Sequence, residues 1–314
     1  MDALSKIFDD IHLNQSHYIH IHAAGDWALT CPAHTAMIAY IVLQGEAELE
    51  LKHQSIQLNS GDLVLIPASH AHKIQKNHSN VMTKNIHIED YFQLDRSKGI
   101  HINEALDTKN RHLILSIQAK VDMQMAKPLL QALPDFLHIQ HIMSNTAPEW
   151  LQIGLQFLAQ ETRSVRPGQA KILDHLVSIL FIECVRDYIL NLKDSSNWLN
   201  ALTHPELSNA LSAIHAQPER PWTVESLAER CWMSRSKFAQ LFTQIVGEPP
   251  LSYLQQHRLR LAAQQLRDRQ YSIQSIAHRV GYNSETAFSQ AFKRQYQQSP
   301  SQYRHEFSTN NSDF

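Results

Sequence analysis

The sequence predicts an α+β chain: an N-terminal β-barrel, a helical hairpin after it, and an all-α C-terminal domain. Three observations lead there. Residues 16 to about 122 alternate apolar and polar side chains in short runs, the apolar period turns helical from Glu149, and the last hundred residues contain one segment written twice. A period of two places one face of a strand in a core, whereas recurrence at i, i+3, i+4 and i+7 builds an amphipathic helix.

The strand runs are "HYIHIH", "IAYIVLQGEAELEL", "HQSIQL" and "GDLVLIP", punctuated by Gly25, Gly45 and "NSGD". Short strands at this spacing predict a sandwich or small barrel within residues 1–148. The hairpin, 149–192, opens with "EWLQIGLQFLAQET", where Trp150, Ile153, Leu155, Phe157 and Leu158 gather on one side. After "RPG", a second run sets Leu173, Leu176, Val177, Leu180, Cys184 and Tyr188 along one stripe. Packing on its own barrel and helix-to-helix dimerisation are both open for this hairpin. Residues 193–207, beginning "KDSSNWLNALTH", are polar enough for a connector, and 307–314 for a disordered tail.

A chain of 314 residues suits two domains. Its net charge of −2 conceals an asymmetry: residues 1–219 hold 16 Lys and Arg against 23 Asp and Glu, and residues 220–306 hold 12 against 6. A basic C-terminal part fits a polyanionic partner. Three widely spaced cysteines, Cys31, Cys184 and Cys231, argue against a disulfide framework. No apolar run approaches the roughly 20 residues of a membrane span, and "MDALSKIFDD" has no signal-peptide pattern, so a cytoplasmic protein is expected.

In the duplicated segment, an offset of 50 aligns Ser234 with Ser284, Phe238 with Phe288, Phe242 with Phe292, Pro250 with Pro300 and Tyr253 with Tyr303. Just upstream the offset is 49, aligning Ala228 with Ala277 and Arg230 with Arg279, so the second turn holds one more residue. Each copy reads as a short helix, a tight turn and a second helix with phenylalanines at i and i+4, the helix-turn-helix pattern. Ser234 and Ser284 are placed as N-caps. The outer faces carry Arg235, Ser236, Lys237 and Gln240 in one copy, and Glu285, Thr286, Ser289, Gln290, Lys293 and Arg294 in the other. Such side chains hydrogen-bond base edges and phosphates. Between the copies, Leu259, Ala262, Ala263 and Leu266 mark a helical rod able to hold both recognition helices in fixed register.

Residues 208–306 resemble the DNA-binding domain of the AraC/XylS family of transcription regulators, and "IAHRVGYNSETAFSQAFKRQYQQSPSQYR" is similar to that family's signature almost position for position. The resemblance implies base-reading positions at Ser236, Ala239 and Gln240 in the first motif and at Glu285, Thr286 and Gln290 in the second, with Ser284 beside them. One departure stands out. The first turn has Cys231-Trp232 where the family has a small residue and glycine, which predicts an altered turn or docking angle.

Residues 2 to about 190, with "GDLVLIPASHAH" at their centre, resemble the cupin-like sensor domain of one subgroup of these regulators. The resemblance implies a small effector in the barrel, for which His20, His22, Trp27, His70 and His72 are candidates, and a homodimer formed through the hairpin. His70 and His72, two apart, are also metal candidates, against the background of 20 histidines, 17 of them before residue 220. No cofactor is expected. The function expected is a DNA-binding transcription regulator, working with RNA polymerase if it is an activator. The alternatives are a cupin-type metal-dependent enzyme and a metal-responsive regulator.

Overall fold

The computed structural model describes residues 2–11, 13–33, 36–52, 54–68, 70–76, 86–87, 99–102, 111–140, 142, 149–162, 166–192, 197–268 and 270–309. These form two compact units. One comprises His12–Met123 and Leu133–Asn191; the other comprises Met1–Ile11, Gln124–Ala132 and Leu192–Phe314.

The first unit is a two-sheet β structure with helices on one face. Its strands are β1 (Leu13–Ala24), β2 (Trp27–Cys31), β3 (Ala36–Gln44), β4 (Glu46–Leu51), β5 (Gln54–Asn59), β6 (Leu63–Ile66), β7 (His72–Lys76), β8 (Ile86–His87), β9 (Ile100–Ile102), β10 (Arg111–Val121) and β11 (Leu137–Ile139). They are arranged as a six-stranded sheet, β11-β6-β3-β10-β1-β9, and a five-stranded sheet, β5-β4-β7-β2-β8. Alternate residues point between the sheets: Ile19, Ile21, Ile38, Tyr40 and Val42 from one meet Trp27, Leu29, Cys31, Leu49 and Ile74 from the other. That alternation is the period of two seen in the sequence. Gly45 turns β3 into β4 at φ +80°, and a Cβ there would lie 2.5 Å from His112 Nδ1; only glycine fits.

The hairpin helices α3 (Glu149–Glu161) and α4 (Gln169–Leu190) belong to this unit. Helix α4 lies on the six-stranded sheet, where Leu173, Val177, Leu180, Phe181 and Cys184 are buried. Two polar ties hold it there: Ser16 N–H donates to Asp174 Oδ1 at 2.8 Å, and Gln169 Nε2 donates to Tyr18 Oη at 3.2 Å. Burial pushes the Cys184 thiol up to about 12, so it is an inert core group. The predicted apolar face of α3 splits. Leu155 is buried, whereas Ile153 and Phe157 are 57% and 51% exposed.

The second unit is helical: α1 (Ala3–Asp10), α2 (Met123–Ala132, from Gln124 on), α5 (Asn200–Thr203), α6 (Ser208–Ala216), α7 (Val224–Arg230), α8 (Arg235–Val246), α9 (Pro250–Asp268), α10 (Ile273–Arg279), α11 (Glu285–Tyr296) and α12 (Pro300–Thr309). It has two cores. Leu211, Ile214, Trp222, Leu227, Phe238, Phe242, Tyr253 and Leu254 make the first; Leu259, Ala262, Ala263, Leu266, Ile276, Phe288, Phe292 and Tyr303 make the second. Helix α9, about 28 Å long at 1.5 Å per residue, contributes its N-terminal half to one core and its C-terminal half to the other.

The boundaries differ from the sequence reading at both ends of this unit. The connector expected at 193–207 includes α5 and the fully buried Leu199, Ala201 and Leu207, because Ala201, Leu202 and Leu207 pack into the first core. The segments 2–11 and 124–132, expected in the N-terminal domain, pack with the C-terminal helices. Trp198 Nε1 donates to Pro128 O at 3.0 Å, and Tyr303 Oη donates to Gln124 Oε1 at 2.5 Å. Of the expected disordered tail, residues up to Thr309 continue α12 and Phe307 packs on the second core, while 310–314 lie outside the described residues.

Phe292 is fully buried among Phe288, Tyr296 and Tyr303. Phe292→Ala should destabilise the helical unit by about 3–5 kcal/mol, read as a lower midpoint in urea unfolding followed by helical circular dichroism.

Candidate nucleic-acid interface

The two motifs are built alike at the level of single hydrogen bonds. In the first turn, Trp232 N–H donates to Glu229 O at 3.2 Å and Met233 N–H to Ala228 O at 3.0 Å. In the second, Gly281 N–H donates to His278 O at 3.0 Å and Tyr282 N–H to Ala277 O at 2.8 Å. These are the same bonds at an offset of 49. Trp232 takes φ +54° and Gly281 φ +86°, both left-handed. The turn altered by the tryptophan, as expected from the sequence, is therefore not found: the backbone keeps the glycine conformation, and a non-glycine side chain bears the strain, of order 1–2 kcal/mol. Trp232 is 94% exposed, so packing offsets none of it.

Each recognition helix is capped by the predicted serine. Ser234 Oγ accepts from Lys237 N–H at 3.4 Å, and Ser284 Oγ accepts from Ala287 N–H at 3.2 Å. A capping hydroxyl still has its own proton to give to a phosphate. Phe238 with Phe242 and Phe288 with Phe292, each pair 5.6 Å between ring centroids, anchor the inner faces. With those faces pinned, the candidates emerge outward. Arg235, Ser236, Lys237 and Gln240 are exposed on α8 and Glu285, Thr286, Gln290, Lys293 and Arg294 on α11; Ala239 and Ser289 are half-buried on the same faces.

Two basic candidates already hold acidic neighbours. Arg235 Nε lies 2.8 Å from Glu225 Oε1, and Lys237 Nζ lies 3.4 Å from Glu206 Oε1. Exposed pairs of this kind are worth at most ~1 kcal/mol, so a phosphate can displace either carboxylate. Glu285 sits in the first turn of α11, where the helix dipole favours a carboxylate.

One element of the interface was not read from the sequence. Arg258 on α9 donates from Nε to Pro218 O at 2.6 Å and from Nη2 to Arg220 O at 2.7 Å, tying the loop before α7 to the rod. A Cβ on Gly281 would lie 2.7 Å from both Glu219 O and Arg258 Nη2. The second turn thus nests against the start of the first motif. These partners are 23 to 62 residues from Gly281, and no periodic pattern links them.

The histidines fall into separate places. His20 and His22 lie on the outer face of the six-stranded sheet; His20 is within 3.5 Å of Thr162 Oγ1, and His22 stacks on His101 at 4.8 Å. Burial lowers the pKa of His20. His72 points between the sheets, its Nε2 paired with Tyr40 Oη at 2.8 Å and its Nδ1 with His70 O at 2.8 Å. His70 Nε2 meets Asp135 Oδ1 at 3.2 Å instead. The candidate pair His70 and His72 is not brought together: His70 precedes β7 and faces Asp135, whereas His72, the first residue of β7, points between the sheets. Trp27 is fully buried in the inter-sheet core.

A β-rich unit and a helical unit bearing two capped, outward-facing recognition helices on one rod define a protein with a tandem helix-turn-helix DNA-binding domain. Residues 2–190 match the family model described as "Cupin", and residues 227–306 match the one described as "Helix-turn-helix domain". The HTH-type transcriptional regulator AlkR of Acinetobacter baylyi is 55% identical over 305 residues, which span 97% of this chain and 99% of that one. The RCS-specific HTH-type transcriptional activator RclR of Escherichia coli is 30% identical across 89% of this chain and 88% of its own. Among solved structures, the DNA-binding domain of AdpA in complex with a target DNA is 31% identical, covering 35% of this chain and 98% of that one, with a TM-score of 0.33. The chain belongs to the AraC-type helix-turn-helix transcriptional regulators that carry an N-terminal cupin domain. It is a transcription regulator; the enzyme alternative has no support among these relatives.

Trp232→Gly should raise stability by about 1 kcal/mol, because glycine relieves the left-handed strain at a modest entropic cost. Gly281→Ala should lower it by at least ~1 kcal/mol, from positive φ and the close approach together. Denaturant midpoints of the two variants would move in opposite directions.

Proposed function

We propose that this regulator reads a promoter with both motifs at once, Ser236, Ala239 and Gln240 facing bases in one major-groove segment and Glu285, Thr286 and Gln290 in the next. Arg235, Lys237, Ser284, Ser289, Lys293 and Arg294 hold the flanking phosphates. The observation that carries this is that both turns open with the same pair of hydrogen bonds and both recognition helices start on a capping serine, the second turn one residue longer, on one shared helix. Two such helices held on one rod can enter successive major-groove segments.

The N-terminal unit receives a small effector whose binding alters promoter affinity. His72 with Tyr40 supplies a buried polar pair between the sheets, and His20 with His22 supplies a polar cluster outside; Trp27 acts through packing and His70 through Asp135. The protein works as a homodimer paired through the hairpin, where Ile153 and Phe157 on α3 and Ile179 and Leu190 on α4 are large apolar side chains left exposed. As an activator it would also contact RNA polymerase. All three cysteines are buried free thiols, which suits a cytoplasmic setting. Among the described residues no helix is long and apolar enough to cross a membrane.

Gln240→Ala and Gln290→Ala should each lose about 1–3 kcal/mol on the cognate site and little on random duplex, whereas Lys293→Ala should weaken both alike and reduce the salt slope by about 1. Fluorescence anisotropy with genomically selected promoter fragments measures all three, and equal losses for the glutamine variants on both duplexes would overturn base reading. Phe157→Glu should convert the dimer to a monomer in size-exclusion chromatography with light scattering, with the fold retained.

A further inference from the structure

In the helical unit, three metal-binding side chains given no role above meet. Asp10 ends α1, His215 lies in the last turn of α6, and His257 lies in the middle of α9. Asp10 Oδ2 is 3.4 Å from His215 Nδ1 and 3.9 Å from His257 Nε2, and all three ligand atoms lie within 4.8 Å of one another. Around a tetrahedral zinc ion, with bonds of 2.0–2.2 Å, ligand atoms stand about 3.3 Å apart, so little contraction is required. A cavity of about 20 Å³, lined by the same three residues with Tyr253 and Arg260, adjoins them; that is room for one small occupant.

We propose that Asp10, His215 and His257 form a site for a divalent transition metal of the zinc class, clamping the N-terminal helix to the first helix-turn-helix core. Hydrogen bonding alone accounts for only part of the cluster. An Asp10–His215–Tyr253 chain is satisfied without metal, since His215 Nε2 lies 2.8 Å from Tyr253 Oη. His257 Nε2 is not: it is fully buried and has no hydrogen-bond partner among the described residues. A metal uses that lone pair. It also turns the Tyr253 contact into outer support, with His215 Nε2–H donating to the phenol oxygen and Nδ1 facing the ion. Two imidazoles and one carboxylate are a donor set for zinc and its neighbours, and three protein ligands leave one position for water. The Arg260 charge opposes the cation, setting affinity below that of four-ligand structural sites.

The ligand Asp10 stands three residues before β1, so occupancy fixes the point where the chain leaves α1 for the cupin unit. The test uses the full-length protein, stripped with chelator. Titrated with zinc against a chromophoric chelator, wild type should retain one zinc per chain, and its melting temperature should rise with zinc. Asp10→Asn, a near-isosteric change at a partly exposed position, should bind at least tenfold more weakly and lose the thermal response; His257→Gln should do the same. Cobalt(II) in wild type should show the visible bands of a nitrogen- and oxygen-ligated ion without a thiolate charge-transfer band. No zinc retained by wild type overturns the site. So does retention unchanged in Asp10→Asn, which would place the metal on other histidines, and so does a thiolate band.

Discussion

Helix α9 is the constraint on which the DNA-binding unit depends. Tyr253 and Leu254 near its start belong to one core, while Leu259, Ala262, Ala263 and Leu266 further along belong to the other. One helix is therefore a wall of both subdomains, and neither motif can shift without disturbing packing that is close to crystalline in density. Arg258, placed between the two sets, extends the same constraint to the loop before α7 through two backbone carbonyls. Spacing between the recognition helices is thus a property of the hydrophobic cores rather than of a hinge.

The turns show how strongly that packing governs local conformation. A tryptophan has no intrinsic reason to adopt positive φ, and its exposed ring gains nothing by doing so. It does so because Ala228 and Phe238, on either side, are locked into the first core. The turn between them opens as in the second motif, although it is one residue shorter, as the hydrogen bonds from Trp232 and Met233 show. Tertiary packing overrides the residue preference, at a cost that glycine avoids in the second copy.

In the N-terminal unit the same logic sorts polar residues by face. His20 and His22 differ from Ile19 and Ile21 by one position, which on a strand is enough to move a side chain from the inter-sheet core to the outer surface. His72 shares its face with Ile74 and is buried, satisfied by Tyr40 and a carbonyl. A spacing of two puts histidines on one face only where both lie in a strand, as His20 and His22 do in β1; His70 precedes β7, which begins at His72, and the spacing does not carry over to it.

By itself the sequence determined the α+β class, the period-two core of the sheets, the duplicated motif, its one-residue difference in turn length, the capping serines and the outward faces of the recognition helices. All of these are short-range, because helix and strand periodicity and cap chemistry are set within a few residues. Tertiary structure alone decided that residues 2–11 and 124–132 pack with the C-terminal helices, that Gly281 nests against Glu219 and Arg258, and that Asp10, His215 and His257 converge. Those contacts join positions up to 254 residues apart, Asp10 to Gln264. They arise from which surfaces are left to bury after the local elements form, and no local pattern encodes that.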